Sequence, residues 1–337
     1  MKGSVQVFDV FGGSLEGNPL GDPSTRKTPV YLPPGYAEKT TERYPVVYFL
    51  HGFTGSGMAW LNTSPFTRNV PERLDAMIAS GAIPSCIGIF VDGWSSLGGS
   101  QWMNSEGIGQ YRNYVARDMV IWADRTLRTI AKGSARALVG KSSGGFGAMN
   151  ISRFHPEVFQ HIGVHSGDAG FEYCYLHELP VALGPINKTG GIEPWFRDFK
   201  ERASATKMRS EDHTVINMLA MSAAYSPKKG EPLGLELPVD LQTGRLKIET
   251  WNRWLVHDPV RFVPKHVDSY RKLKSLFIDC GTKDEFNLRW GARIVIEELK
   301  HGGVEQLLHE EFEDGHMNVN YRFERSLQHL VPRMDRG

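Results

Sequence analysis

The chain has 337 residues, 40% hydrophobic and 23% charged, so it can bury a sizeable core and is not a disordered polymer. Its 39 Lys and Arg against 38 Asp and Glu leave a net charge of +1. With no long basic run, nucleic acid and anionic membrane are not implied as partners. A small or neutral molecule is the expected partner, and a homodimer is compatible with the sequence.

The opening MKGSVQVFDVFGGSLEGNPL lacks the unbroken apolar core of a signal peptide, and nowhere do eighteen apolar residues follow one another. The default expectation is a cytoplasmic protein. Cys86, Cys174 and Cys280 are odd in number, far apart and in no C-x-x-C pair. They read as buried thiols rather than as a disulfide framework, a zinc knuckle or nucleophiles.

Between residues 44 and 166, short apolar, β-branched runs alternate with amphipathic stretches, the pattern of a mostly parallel sheet with crossover helices. YPVVYFLHG (44–52) predicts a buried strand, PERLDAMIAS (71–80) a helix, and CIGIFVDG (86–93) a second strand. A long helix follows at 111–130, then the strand ARALVG, a helix over GGFGAMNISRF stopped at Pro156, and the strand FQHIGVHSG. From about 168 to 268 the rhythm breaks into Pro-, Trp- and Tyr-rich sequence with helical pieces. It resumes with the strand KSLFIDCG (274–281), a helix closed by Gly302, the strand EQLLHEEFE and a terminal helix over 321–334. The irregular stretch therefore reads as an insertion over one edge of the sheet, inside a single domain of residues 1–337.

LVGKSSGGFG contains GKS, which ends a phosphate-binding loop, and also G-x-S-x-G, the pattern of a hydrolase nucleophile elbow. The phosphate loop fails because Ala135 stands where its first glycine belongs and a strand fills the intervening residues. GFTGSG (52–57) has G-x-x-G-x-G spacing and is equally weak as a dinucleotide site. The elbow needs strand, sharp turn and helix, and all three are present. Gly140 and Gly144 flank Ser142 at two residues on either side, whereas Ser143 has Lys141 two before it. Ser142 is therefore the expected nucleophile.

A serine needs a histidine to take its proton and a carboxylate to hold that histidine, in the chain order serine, acid, histidine. KSLFIDCG is followed by TKDEF, which offers Asp284 and Glu285; Asp284 is the expected acid, and Asp279 inside the strand is expected to be structural. Among 12 histidines, His316 alone lies in the loop directly after the last predicted strand, in EEFEDGHMN. The anion formed at the attacked carbonyl requires N–H donors, for which the backbone of Ser143 and of Phe53 in HGFTG are placed. His309, Glu311, Glu313 and His316 could suggest a metal, but strand alternation divides them between faces; His161 and His165 read as a structural pair.

With these residues placed, the chain resembles the putative esterase family of α/β-hydrolases, which includes esterase D or S-formylglutathione hydrolase, enterochelin esterases, feruloyl esterases and mycolyltransferases. VYLPPGY, YPVVYFLHGFTG, GGSQWMNS, GKSSGGFGAM, IDCGTKDEF and FEDGHM carry the resemblance over residues 30–320. It implies an α/β-hydrolase fold, with a mostly parallel central sheet and helices on both faces; the insertion at 168–268, expected as a helical cap or lid, has no counterpart in the compact members. The family pattern maps nucleophile, acid and base to Ser142, Asp284 and His316, and the oxyanion donors to Phe53 and Ser143. Such elbows commonly carry histidine before the nucleophile, whereas Lys141 stands here, either as a cation that tunes the site or, as the leading expectation, as a side chain packed or paired behind the elbow. Tyr173, Tyr175, Trp195, Phe196, Trp251 and Trp254 of the insertion either line an acyl or alcohol pocket or form a core of their own. The expected activity is carboxylic-ester hydrolysis through an acyl-enzyme, with no cofactor and no metal. Acyl transfer to an alcohol or sugar by the same residues, and a non-catalytic binding module on the same scaffold, remain the alternatives.

Overall fold

Strands that read as continuous apolar runs are those that a parallel sheet buries on both faces. The computed structural model describes residues 1–337. Its main sheet has eight strands: β1 (Ser4–Phe11), β2 (Thr25–Leu32), β3 (Val46–Leu50), β4 (Ile87–Val91), β5 (Arg136–Lys141), β6 (His161–His165), β7 (Ser275–Gly281) and β8 (Leu307–Phe312). The spatial order is β1-β2-β4-β3-β5-β6-β7-β8. β1 and β2 run antiparallel to their neighbours, and all pairs from β4 to β8 are parallel. This is the α/β-hydrolase fold.

Side-chain alternation divides the core between the two faces. Val46, Tyr48 and Leu50 of β3 point into one cluster, while Val47 and Phe49 point into the other. The first cluster holds 68 buried residues against 18 in the second, because the helices of the 168–268 segment pack on its side.

The helices start and stop for local reasons. α1 (Val70–Ala79) opens on a reciprocal cap in which Glu72 N donates to Asn69 Oδ1 at 3.0 Å and Asn69 N donates to Glu72 Oε2 at 2.9 Å. α2, residues 111–126, contains a π-helical stretch at Tyr114–Met119 and ends before the expected residue 130, where Leu127 becomes extended. α3 (Ser143–Phe154) begins directly after Ser142 and ends before Pro156, which cannot continue it. The 168–268 segment supplies α4 (Leu179–Lys188), α5 (Ile192–Ala205), α6 (Asp212–Tyr225) and α7 (Ile248–Leu255); α8 (Leu288–His301) and α9 (Phe323–Leu330) follow. No helix is long and apolar enough to cross a membrane.

The antiparallel pair β1 and β2 lies outside the stretch whose alternation marked the sheet. β1 is an edge strand with mostly exposed or half-exposed residues, so it lacks the buried run that betrays the central strands. The insertion's aromatics divide rather than act together: Trp195, Trp251 and Trp254 are core, Tyr173 is 48% exposed, and Tyr175 alone of the six reaches the candidate site.

Asp279, inside β7, is fully buried and accepts hydrogen bonds from His165 Nδ1 at 2.7 Å and Arg322 Nε at 2.8 Å. Those bonds tie β6, β7 and the start of α9 together, with His165 Nε2 reaching Ser326 Oγ at 2.8 Å. His161 is engaged separately, by Ser275 Oγ at 2.7 Å and Ser134 O at 3.0 Å. Asp279→Ala leaves Arg322 and His165 without their shared acceptor and is expected to lower stability by about 3 kcal/mol, read as the midpoint of chemical denaturation. An unchanged midpoint contradicts the structural role.

Candidate functional site

Ser142 sits between β5 and α3 with φ 57 and ψ −126, a conformation that costs a non-glycine residue on the order of 1–3 kcal/mol. The surroundings hold it there: Ser142 N donates to His165 O at 2.9 Å, and Phe146 N donates to Ser142 O at 2.9 Å. Two glycines make the turn sterically feasible. A Cβ on Gly140 would lie 2.2 Å from Gly144 O, and a Cβ on Gly144 would lie 2.1 Å from Leu50 O. The spacing G-x-S-x-G is thus the imprint of backbone packed against backbone around the serine.

Asp284 and His316 come from the loops after β7 and β8, and His316 Nδ1 lies 2.8 Å from Asp284 Oδ2. Asp284 is fixed in turn by Phe286 N, which donates to its Oδ1 at 3.0 Å. A ring nitrogen facing a carboxylate carries the proton, so the neutral imidazole presents Nε2 as an acceptor. Nε2 makes no hydrogen bond within the protein. Glu285 instead pins the histidine loop, because His316 N donates to its Oε2 at 2.6 Å. The Phe286 ring packs edge-on against His316 with centroids 4.8 Å apart.

Ser142 Oγ is not bonded to His316 but donates to Asp168 Oδ1 at 3.3 Å. Asp168 Oδ2 accepts from Tyr175 OH at 2.7 Å, Gln101 Nε2 at 3.1 Å and Ser143 Oγ at 3.4 Å. Burial pushes this carboxyl's pKa up, while the Tyr175 and Gln101 hydrogen bonds pull the other way. Sequence reasoning missed Asp168. The signal was its place in HSGD, immediately past β6, the strand that neighbours β5. Gln101 and Trp102 both have φ 50, and the strained turn aims the Gln101 amide at Asp168 and the Trp102 indole N–H at His51 O, 3.1 Å away.

The loop after β3 carries Phe53. Neither Phe53 N nor Ser143 N has an acceptor within the protein. His51 braces the loop: Gly93 N donates to its Nε2 at 2.9 Å, so its Nδ1–H donates to Gly52 O at 2.8 Å. Thr54 N adds a bond to Gly98 O at 2.8 Å.

Ser142, His316, Phe53, Ser143 and Asp168 line one cavity of about 350 Å³, and α6 adds His213 and Asn217 to its wall. Lys141 lines it too, which fits the alternative of a cation at the site better than a side chain packed or paired behind the elbow. Burial lowers its pKa, and the carboxylates of Asp284 and Glu285 oppose that shift. The carboxylates of HEEFEDGH are otherwise engaged, Glu311 with Arg293 at 2.6 Å and Glu313 with Lys283 at 3.1 Å. Gly144→Ala should force α3 away from Leu50, at a cost of roughly 1–3 kcal/mol, visible as a lower melting temperature. A melting temperature equal to the native one would show that the elbow has slack.

A family model described as "Putative esterase" matches residues 23–321. Over 144 residues, 41% of this chain, the sequence is 28% identical to an endo-1,4-beta-xylanase/feruloyl esterase of Xylanibacter ruminicola, and that match spans 19% of the relative's length. Among solved structures, a ferulic acid esterase superposes with a TM-score of 0.62 at 17% identity, covering 98% of each chain. An S-formylglutathione hydrolase from Agrobacterium tumefaciens gives a TM-score of 0.56 at 16% identity, covering 99% of this chain and 96% of that one.

Proposed function

Because the chain belongs to the putative esterase family of α/β-hydrolases, we propose that it hydrolyses carboxylic esters through an acyl-enzyme on Ser142. The observation that carries this reading is His316, held by Asp284 at 2.8 Å with Nε2 free, in the cavity that also exposes a serine at φ 57. For attack, the Ser142 hydroxyl turns about its Cα–Cβ bond from Asp168 towards Nε2. Catalytic hydrogen bonds of this kind are often open before substrate arrives.

Oγ then bonds to the ester carbon as its proton passes to His316 Nε2, and the carbonyl electrons move onto oxygen. That anion lies between the N–H groups of Phe53 and Ser143, each worth about 3 kcal/mol if lost. Asp284 stabilises the imidazolium, which protonates the departing alcohol; water, deprotonated by His316, then releases the acid and restores Ser142. Residues 168–268 act as a cap in this reading, placing Tyr175, His213 and Asn217 over the acyl group.

The two serines separate the roles. Ser142→Ala is expected to lower kcat on p-nitrophenyl acetate by about 10⁴- to 10⁶-fold. Ser143→Ala keeps its backbone N–H and should stay within about tenfold of the native rate. Equal losses from the two substitutions contradict the assignment.

A further inference from the structure

The reaction uses Ser142, His316, Asp284 and two backbone N–H groups, and leaves the carboxyl of Asp168 beside the nucleophile unexplained. Asp168 is 6% exposed, and its two oxygens are unequally served. Oδ2 takes three donors, from Tyr175, Gln101 and Ser143, whereas Oδ1 takes one, the Ser142 hydroxyl, through a long bond of 3.3 Å. Acylation removes that one donor, because Oγ no longer carries a proton once it is esterified. Oδ1 would then face the bound acyl group as a buried acceptor with nothing to accept, an arrangement that proteins avoid.

Resting on the esterase reading above, we infer that Asp168 Oδ1 is the recognition point for a hydroxyl on the acyl part of the substrate, so that short 2- or 3-hydroxyacyl esters are preferred. An O–H···O bond is about 2.7 Å long, and with Oδ1 3.3 Å from Oγ this confines the donor to the first carbons beyond the ester carbonyl. Three features fix the acceptor's direction. Tyr175 and Gln101 anchor Oδ2 at 2.7 and 3.1 Å, and the positive φ of Gln101 is maintained where its amide meets this carboxyl. An acyl chain bearing a second carboxylate at the same place meets like charge and is disfavoured.

The test is a matched trio of p-nitrophenyl esters: propionate, 2-methoxypropionate and 2-hydroxypropionate, with the 3-hydroxy isomer alongside. One or both hydroxyacyl esters should exceed the propionate by about 10- to 100-fold in kcat/KM, the size of a hydrogen bond to a charged acceptor. The methoxy ester, which accepts but cannot donate, should show no such gain. In Asp168→Asn, which keeps the shape of the side chain, the hydroxyacyl-to-propionyl ratio should fall at least severalfold. No hydroxyl preference in the native protein, a methoxy ester as good as the hydroxy ester, or an unchanged ratio in Asp168→Asn would each overturn the inference. Turnover of plain propionate that disappears in Ser142→Ala reads the esterase assignment separately from the ratio.

Discussion

The site depends on one backbone constraint, the close approach of β5, α3 and the end of β3 around Ser142. Gly140 and Gly144 have no room for side chains, since Gly144 O and Leu50 O occupy the space. Ser142 is thereby fixed at φ 57, with its hydroxyl raised above the sheet and α3 starting at the next residue. The same turn leaves Ser143 N at the helix start without an intrahelical partner. One steric arrangement thus supplies an exposed hydroxyl and an N–H donor from adjacent residues.

Strain is concentrated where the cavity is built. Of the eight non-glycine residues with positive φ, all but Leu233 fall in segments that carry or brace it: Thr54, Gln101, Trp102, Ser142, Ser166, Asn287 and Asn318. Such conformations persist only when neighbouring bonds over-determine them. Here the bracing is polar and buried, with His51 linking Gly93 to Gly52, Glu285 holding His316 N, and Gln101 holding Asp168. The two late acids divide labour in the same way, Asp279 inside the core and Asp284 buried against His316.

The central strands were legible because burial on both faces writes an unbroken apolar run, and the elbow because its glycines are sterically obligatory. Ser142, Asp284 and His316 were placed from chain order and strand ends; the geometry brings Ser142 and His316 to one cavity, with Asp284 buried against His316. The edge strand β1 was not legible, since a strand exposed along much of its length carries no such run. Asp168 escaped because its meaning comes from β6 lying next to β5, a non-local pairing that no spacing in the chain expresses. The choice between the two readings of Lys141 was not legible for a related reason: which side of the turn a residue faces depends on loops that arrive from β7 and β8.

The central claim is that Ser142 is the nucleophile, and a fluorophosphonate probe, which bonds covalently to activated serines, tests it most directly. Labelling of the folded protein followed by peptide mapping should place the phosphonyl group on Ser142, with none on Ser143. Labelling at Ser143, or a folded protein that takes up no probe, would contradict that assignment.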